Sequence, residues 1–153
     1  MARILVTGMS GAGKTTLLNE LASRGHFTVD TDYDGWVSPE GLWDEPRMRE
    51  LLARHEHVVV SGTVENQRRL YADLDHVVLL TAPVDILIRR VARRTDNPYG
   101  RTHAQQEEVR RFVRDVEPLL RRSAGIELDG RRPVGDLADA VEALTAPARD
   151  SES

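Results

Sequence analysis

The chain has 153 residues, 40% apolar and 30% charged, with a formal net charge of -4. That balance fits one domain with a real core and excludes a broadly basic nucleic-acid binder. There is no cysteine, which removes disulfides, thiolate metal sites and a cysteine nucleophile. No apolar run is of membrane-spanning length and no signal peptide precedes the first strand. The chain therefore reads as cytoplasmic, without a membrane or nucleic-acid partner.

Residues 3–7 are a short apolar run that predicts a buried strand. Gly8-Met9-Ser10-Gly11-Ala12-Gly13-Lys14-Thr15 follows and fits G-x-x-x-x-G-K-[ST], the phosphate-binding loop pattern. Leu17, Leu18, Leu21 and Ala22 then recur at helical spacing, with Gly25 ending the helix. Strand, glycine loop and helix is the context this pattern requires. Glycines let the backbone approach an anion closely, and the loop amides and helix N-terminus point at it. Gly8, Ser10, Gly11, Ala12, Gly13, Lys14, Thr15 and Thr16 are thus candidate contacts to ATP. Lys14 would reach the β- and γ-phosphates, and the Thr15 hydroxyl would ligate Mg²⁺. Lys14 is also the only lysine in a chain whose other cations are arginines. The slender ammonium is kept where a planar fork would fit the loop less well.

Residues 26–30 alternate as a second strand that ends in Asp30-Thr31-Asp32. Residues i and i+2 of a strand point the same way, so both carboxylates can face the loop. One would help organise Mg²⁺, through water, and the other would orient or deprotonate an acceptor hydroxyl. Asp30 and Asp32 are both catalytic candidates, with Asp30 also the metal candidate, and the sequence leaves open which does which. Turn chemistry is the structural alternative, since Asp caps local amides and Asp34-Gly35 follows. Residues 36–46 read as loop, with Pro46 opening a helix over 47–55. Trp36 and Trp43 fall where a substrate lobe (about 33–56) would lie, and either fits core packing as well as substrate stacking.

Residues 57–61 and 76–81 predict two further buried strands, with a short helix at 65–71 between them. Helices are predicted at 84–94, 104–122 and 133–144, and a last short strand at 126–129. Residues 95–103 are a polar insert, and 146–153 a tail expected to fray. Arg90 and Arg94 share one helix face just before the insert, and Arg101 lies in it. Phosphoryl transfer loads charge on three oxygens, and arginines on a mobile flap would suit that need. A solvated charged helix is the alternative, and it is favoured for Arg110, Arg121 and Arg122. Arg131-Arg132-Pro133 fits an adenine-framing loop or a solvated one equally well; Arg131 is the ATP candidate. The five histidines lack metal-ligand spacing.

Alternating strands and helices predict an α/β fold, a parallel sheet covered on both faces. Ligands of such sheets sit beyond the strands' carboxyl ends. Residues 8–15, 30–32, 61–63 and 81–83 would gather around that mouth.

These residues together resemble the small P-loop kinases grouped with shikimate kinase, gluconate kinase and adenylate kinase, over about residues 1–144. The resemblance implies a three-layer α/β/α domain at 1–145, with a five-stranded sheet of order 2-3-1-4-5 and a short lid at 95–103. It implies that Asp30 and Asp32 serve Mg²⁺ and substrate. It implies that Arg90 and Arg94 contact adenine and phosphates, and that Arg111 or Arg114 is the arginine after the lid, reaching substrate. Two features depart from the pattern. The glycine triplet of shikimate kinase-like enzymes reads Ser61-Gly62-Thr63-Val64 here, which weakens shikimate as the acceptor. No acidic residue ends the third strand, so Mg²⁺ would lean on Thr15, water and Asp30. The expected activity is ATP- and Mg²⁺-dependent phosphoryl transfer to a nucleoside monophosphate or a hydroxylated metabolite, by a monomer or homodimer. The rival is a nucleotide-binding module or switch with little turnover.

Overall fold

The computed structural model describes residues 2–9, 11–93 and 101–145. Five parallel strands form one sheet: β1 (Arg3–Thr7), β2 (Thr28–Asp30), β3 (Val58–Ser61), β4 (His76–Thr81) and β5 (Ile126–Asp129). Their order is β2-β3-β1-β4-β5, as the resemblance implies. Around them, among the described residues, pack the helices α1 (Lys14–Ser23), α2 (Glu45–Arg54), α3 (Val84–Ala92), α4 (His103–Asp115), α5 (Glu117–Ser123) and α6 (Val134–Thr145). A 3-10 helix, Gln67–Asp73, takes the place of the short helix predicted near 65–71.

Alternation along the strands splits the core in two. Ile4, Val6, Val59, Val78 and Leu80 face α1 and α6 through Leu17, Leu21, Leu137 and Val141. Leu5, Val58, Val60 and Val77 face the other way, onto Met48, Leu51 and Leu52 of α2 and onto Leu70 and Trp43. Both faces of the central strands are thus dry, which is why their sequences read as unbroken apolar runs.

The helix predicted over 104–122 is two helices. Pro118 lacks an N–H and its ring clashes with the carbonyl four residues back, so the chain breaks at Val116 and α5 restarts with proline in its first turn. Helix α2 begins earlier than its proline suggests, because Asp44 caps it by accepting from the Arg47 amide at 3.2 Å. Most of the expected lid, Arg94, Ser10 and the tail at 146–153 lie outside the described residues. Among the described residues, no helix is long and apolar enough to cross a membrane.

Candidate functional site

The glycine loop leaves β1 and enters α1 at the sheet's carboxyl edge. Gly8 has φ 148°, and a Cβ there would collide with the Leu80 carbonyl oxygen. No other residue fits. The first turn of α1 then carries Lys14, Thr15 and Thr16. Lys14 Nζ donates back to the Gly8 carbonyl, so the ammonium lies across its own loop.

A cleft of about 510 Å³ opens over this loop. Its walls are Gly11, Ala12, Gly13, Lys14, Thr15, Thr16, Asp32, Tyr33, Arg90, Gly130, Arg132, Val134 and Leu137. The loop, the Asp32 carboxylate from the turn after β2 and the pre-insert arginine therefore meet in one place, whereas Asp30 borders the neighbouring recess. The loop after β5 and the start of α6 supply the far wall. Val134 and Leu137 make that end apolar, which suits a flat base, while Lys14 and Arg132 give the cleft positive charge suited to phosphates.

Asp30 has two partners. Its Oδ2 accepts from the Thr15 hydroxyl at 2.9 Å, and its Oδ1 accepts from the Asp32 amide at 3.1 Å. Both readings of this residue therefore have a physical basis: it caps the local turn and it reaches the α1 hydroxyl. Ser61 is paired with Asp30 in register on β3, and its buried hydroxyl has no hydrogen-bond partner among the described residues. Paired residues of parallel strands project to one face, so the Thr15 hydroxyl, the Asp30 carboxylate and the Ser61 hydroxyl gather on the α1 side. That all-oxygen set fits a hard divalent cation, and Mg²⁺ needs few protein ligands when phosphates and water complete its shell.

Arg90 lies against the loop itself. Its guanidinium donates to the carbonyls of Gly11 at 3.1 Å and Gly130 at 3.0 Å, with a longer approach to Ala12 at 3.4 Å. It clamps the glycine loop to the loop after β5 while lining the cleft.

Several sequence candidates lie elsewhere. Arg131 is absent from the cleft wall: its guanidinium is held by Asp129 at 2.7 Å, and that pairing holds the Asp129 carboxyl down to about 2. The next residue, Arg132, turns in instead. Arg101, Arg111 and Arg114 are exposed and do not line the cleft, and Arg114 pairs with Asp115 at 3.0 Å. Residues 81–83 border a separate recess with Glu117, Arg121 and Arg131. Trp36 lies under the Arg47 guanidinium, 3.9 Å from ring centroid to Cζ. It faces a second recess with Phe27, Asp30 and Asp34, which shares Tyr33 with the cleft.

Trp43 is core, 3% exposed. Its indole N–H donates to the Thr31 hydroxyl at 2.9 Å, and Thr31 donates to the Ser61 carbonyl at 2.7 Å. This chain locks the turn that carries Asp30 and Asp32. It also explains Gly62, where a Cβ would collide with the Thr31 hydroxyl. Sequence reading missed Tyr33, Gly130, Val134 and Leu137, and it named Arg132 only beside Arg131 in the candidate adenine-framing loop. The rule placing ligands at strand carboxyl ends, applied to Asp129-Gly130, would have found Gly130, Val134 and Leu137.

A shikimate kinase from Acinetobacter baumannii, solved in complex with shikimate, superposes with a TM-score of 0.72 and 25% identity, covering 95% of this chain and 93% of that one. A gluconokinase from Sinorhizobium meliloti shares the fold, with a TM-score of 0.63, 20% identity and coverage of 94% and 91%. A nucleotide-binding protein of Thermus thermophilus is 34% identical over 70% of this chain and 99% of its own length. Against three further curated relatives, a shikimate kinase among them, the chain spans 43–65% of the relative's length. A family model described as an AAA domain matches residues 4–111. With that span matched and the P-loop at its head, the chain belongs to the AAA domain family.

Proposed function

We propose that this protein is an ATP- and Mg²⁺-dependent kinase acting on a hydroxylated small molecule. The observation that carries the reading is the meeting, in one cleft, of Lys14, Thr15 and Asp32, with Asp30 bonded to the Thr15 hydroxyl. A protein that only bound nucleotide would have no use for a second carboxylate facing the phosphate end.

In this reading the amides of residues 11–15 cradle the phosphates, and Lys14 neutralises charge on the β- and γ-phosphates. Adenine lies toward Val134 and Leu137, with the Arg132 guanidinium beside it. Thr15 and Asp30 would hold Mg²⁺, with the Ser61 hydroxyl in register beside Asp30. When bound, the ion would neutralise charge on the phosphate oxygens. Asp32 accepts the proton of the acceptor hydroxyl, or orients it for in-line attack. Tyr33 and the recess beside Trp36 receive the remainder of the acceptor.

A hydroxylated acceptor is favoured over a nucleoside monophosphate because the region after β2 is short and tied down. Asn66 binds the Trp43 backbone in both directions, at 3.0 and 3.1 Å, and reaches Glu45 at 3.0 Å. Shikimate itself is not supported. The Thr63 hydroxyl, which falls within the glycine-triplet position, is committed to the backbone of Gly8.

The second reading, a nucleotide-binding module, is favoured by the Thermus thermophilus relative, whose name gives binding alone. Asp32→Asn separates the two. A kinase loses turnover by about 10²-fold or more while its ATP affinity holds. Retention of full ATP turnover in the variant would remove Asp32 from the chemistry.

A further inference from the structure

Thr63 stands directly behind the first glycine of the phosphate loop. Its hydroxyl accepts from the Gly8 amide at 3.0 Å and donates to the Gly8 carbonyl at 2.7 Å. Its remaining lone pair meets the Thr7 hydroxyl at 3.0 Å. Thr7 accepts in turn from Gln67 Nε2 at 3.2 Å, whose other proton goes to the Tyr71 hydroxyl at 2.8 Å. A hydroxyl has one proton and two acceptor sites, so these partners use Thr63 fully and commit its proton to the Gly8 carbonyl. Thr7 and Gln67 are buried.

The same carbonyl accepts from Lys14 Nζ. Thr63 thus grips both backbone polar groups of Gly8, one from each flanking peptide, and the carbonyl so fixed is the one that holds the lysine. Lysine has a four-carbon stem with large rotamer freedom, and ordering it only when ATP arrives would weaken binding.

We propose that Thr63 is a positioning residue that, through the shared Gly8 carbonyl, holds Lys14 in place for nucleotide before nucleotide binds. The proposal rests on nucleotide binding at this loop and not on phosphoryl transfer. It gives a use to the threonine that replaces glycine in the Ser61-Gly62-Thr63-Val64 segment.

The chain offers a direct probe. Lys14 is its only lysine, so protein grown with ¹³C,¹⁵N-lysine shows one lysine side chain by NMR. In the nucleotide-free protein, Cε relaxation should report an ordered Lys14. Thr63→Val keeps the shape but removes the hydroxyl, and the Lys14 Cε should become mobile. Thr63→Ser should restore order, and Thr63→Ala serves if the valine variant does not fold. ATP affinity, by titration calorimetry, should fall about five- to tenfold in Thr63→Val and recover in Thr63→Ser. In a Lys14→Ala background the same change should alter affinity less than about twofold, because the two residues act through one carbonyl. A folded Thr63→Val or Thr63→Ala protein with wild-type Cε relaxation would overturn the proposal. So would an equal loss of affinity with and without Lys14. Absence of turnover with every acceptor would refute the kinase reading and leave this one standing.

Discussion

Replacing Arg90 by alanine tests whether that side chain serves the loop or the ligand. Its guanidinium makes two good hydrogen bonds, to Gly11 and Gly130, and one long approach to Ala12. A bond from a charged donor contributes about 1.5–3 kcal/mol when dry. Arg90 is half-buried, so water can replace part of each bond, and a combined loss of about 2 kcal/mol is expected. For a chain of this length that corresponds to a Tm lower by about 4–8 °C. Arg90→Lys should recover only part, since an ammonium cannot span both carbonyls as a fork does. Thermal melts without nucleotide, followed by ATP titration, separate the effects. A variant that melts like wild type yet binds ATP poorly would refute the clamp and return Arg90 to the nucleotide.

Trp43→Phe should lower stability by about 1–3 kcal/mol, from the lost Thr31 bond and the space left behind; an unchanged urea midpoint would deny Trp43 its role in holding the aspartate turn. At the opposite end of the sheet, the Ala2 amide donates to His57 Nδ1 at 3.3 Å, His57 Nε2 meets His26 at 2.8 Å, and His26 meets Glu142 at 2.7 Å. A proton added to His57 Nδ1 would face an N–H, and burial followed by the neighbouring His26 pushes the His57 pKa below its usual 6.5. The unfolded chain therefore binds more protons in the window below 6.5, and stability should fall as pH drops through it. Melts at pH 7.5 and 5.5 should show that fall, and His57→Gln should flatten it. The Glu142 carboxyl is held below its usual range by its bond to His26 and then by Arg24. Its contribution is present above the ordinary carboxylate range and lost in stronger acid, so Glu142→Gln should lower stability at neutral pH and flatten the fall on the acid limb.

The fold was legible because parallel strands buried on both faces leave unbroken apolar runs, and residues 3–7, 58–61 and 76–81 are such runs. The glycine loop was legible because its pattern is local: eight consecutive residues, 8–15, carry it. What was illegible depends on contacts distant in sequence. Arg90 was read as a ligand-facing arginine and it does line the cleft, but its clamp on Gly11 and Gly130 joins residues 79 and 40 positions away and was not readable. Arg131 and Arg132 look alike in sequence, and only the ion pair to Asp129 decides which one turns into the cleft. Trp43 could not be assigned to core or substrate without the Thr31 hydroxyl that receives its indole. The single long helix was an avoidable error, since Pro118 marks the break.

The most direct test of the central claim is ADP release by the purified protein with Mg²⁺-ATP. The acceptor panel would hold sugar acids, shikimate-like polyols, aminoglycoside-type compounds and nucleoside monophosphates, with Lys14→Ala as control. Stimulation by one class of hydroxylated acceptor, absent in the Lys14 variant, is the predicted result. ATP binding at the loop with no stimulation by any acceptor would contradict the kinase and leave a nucleotide-binding module.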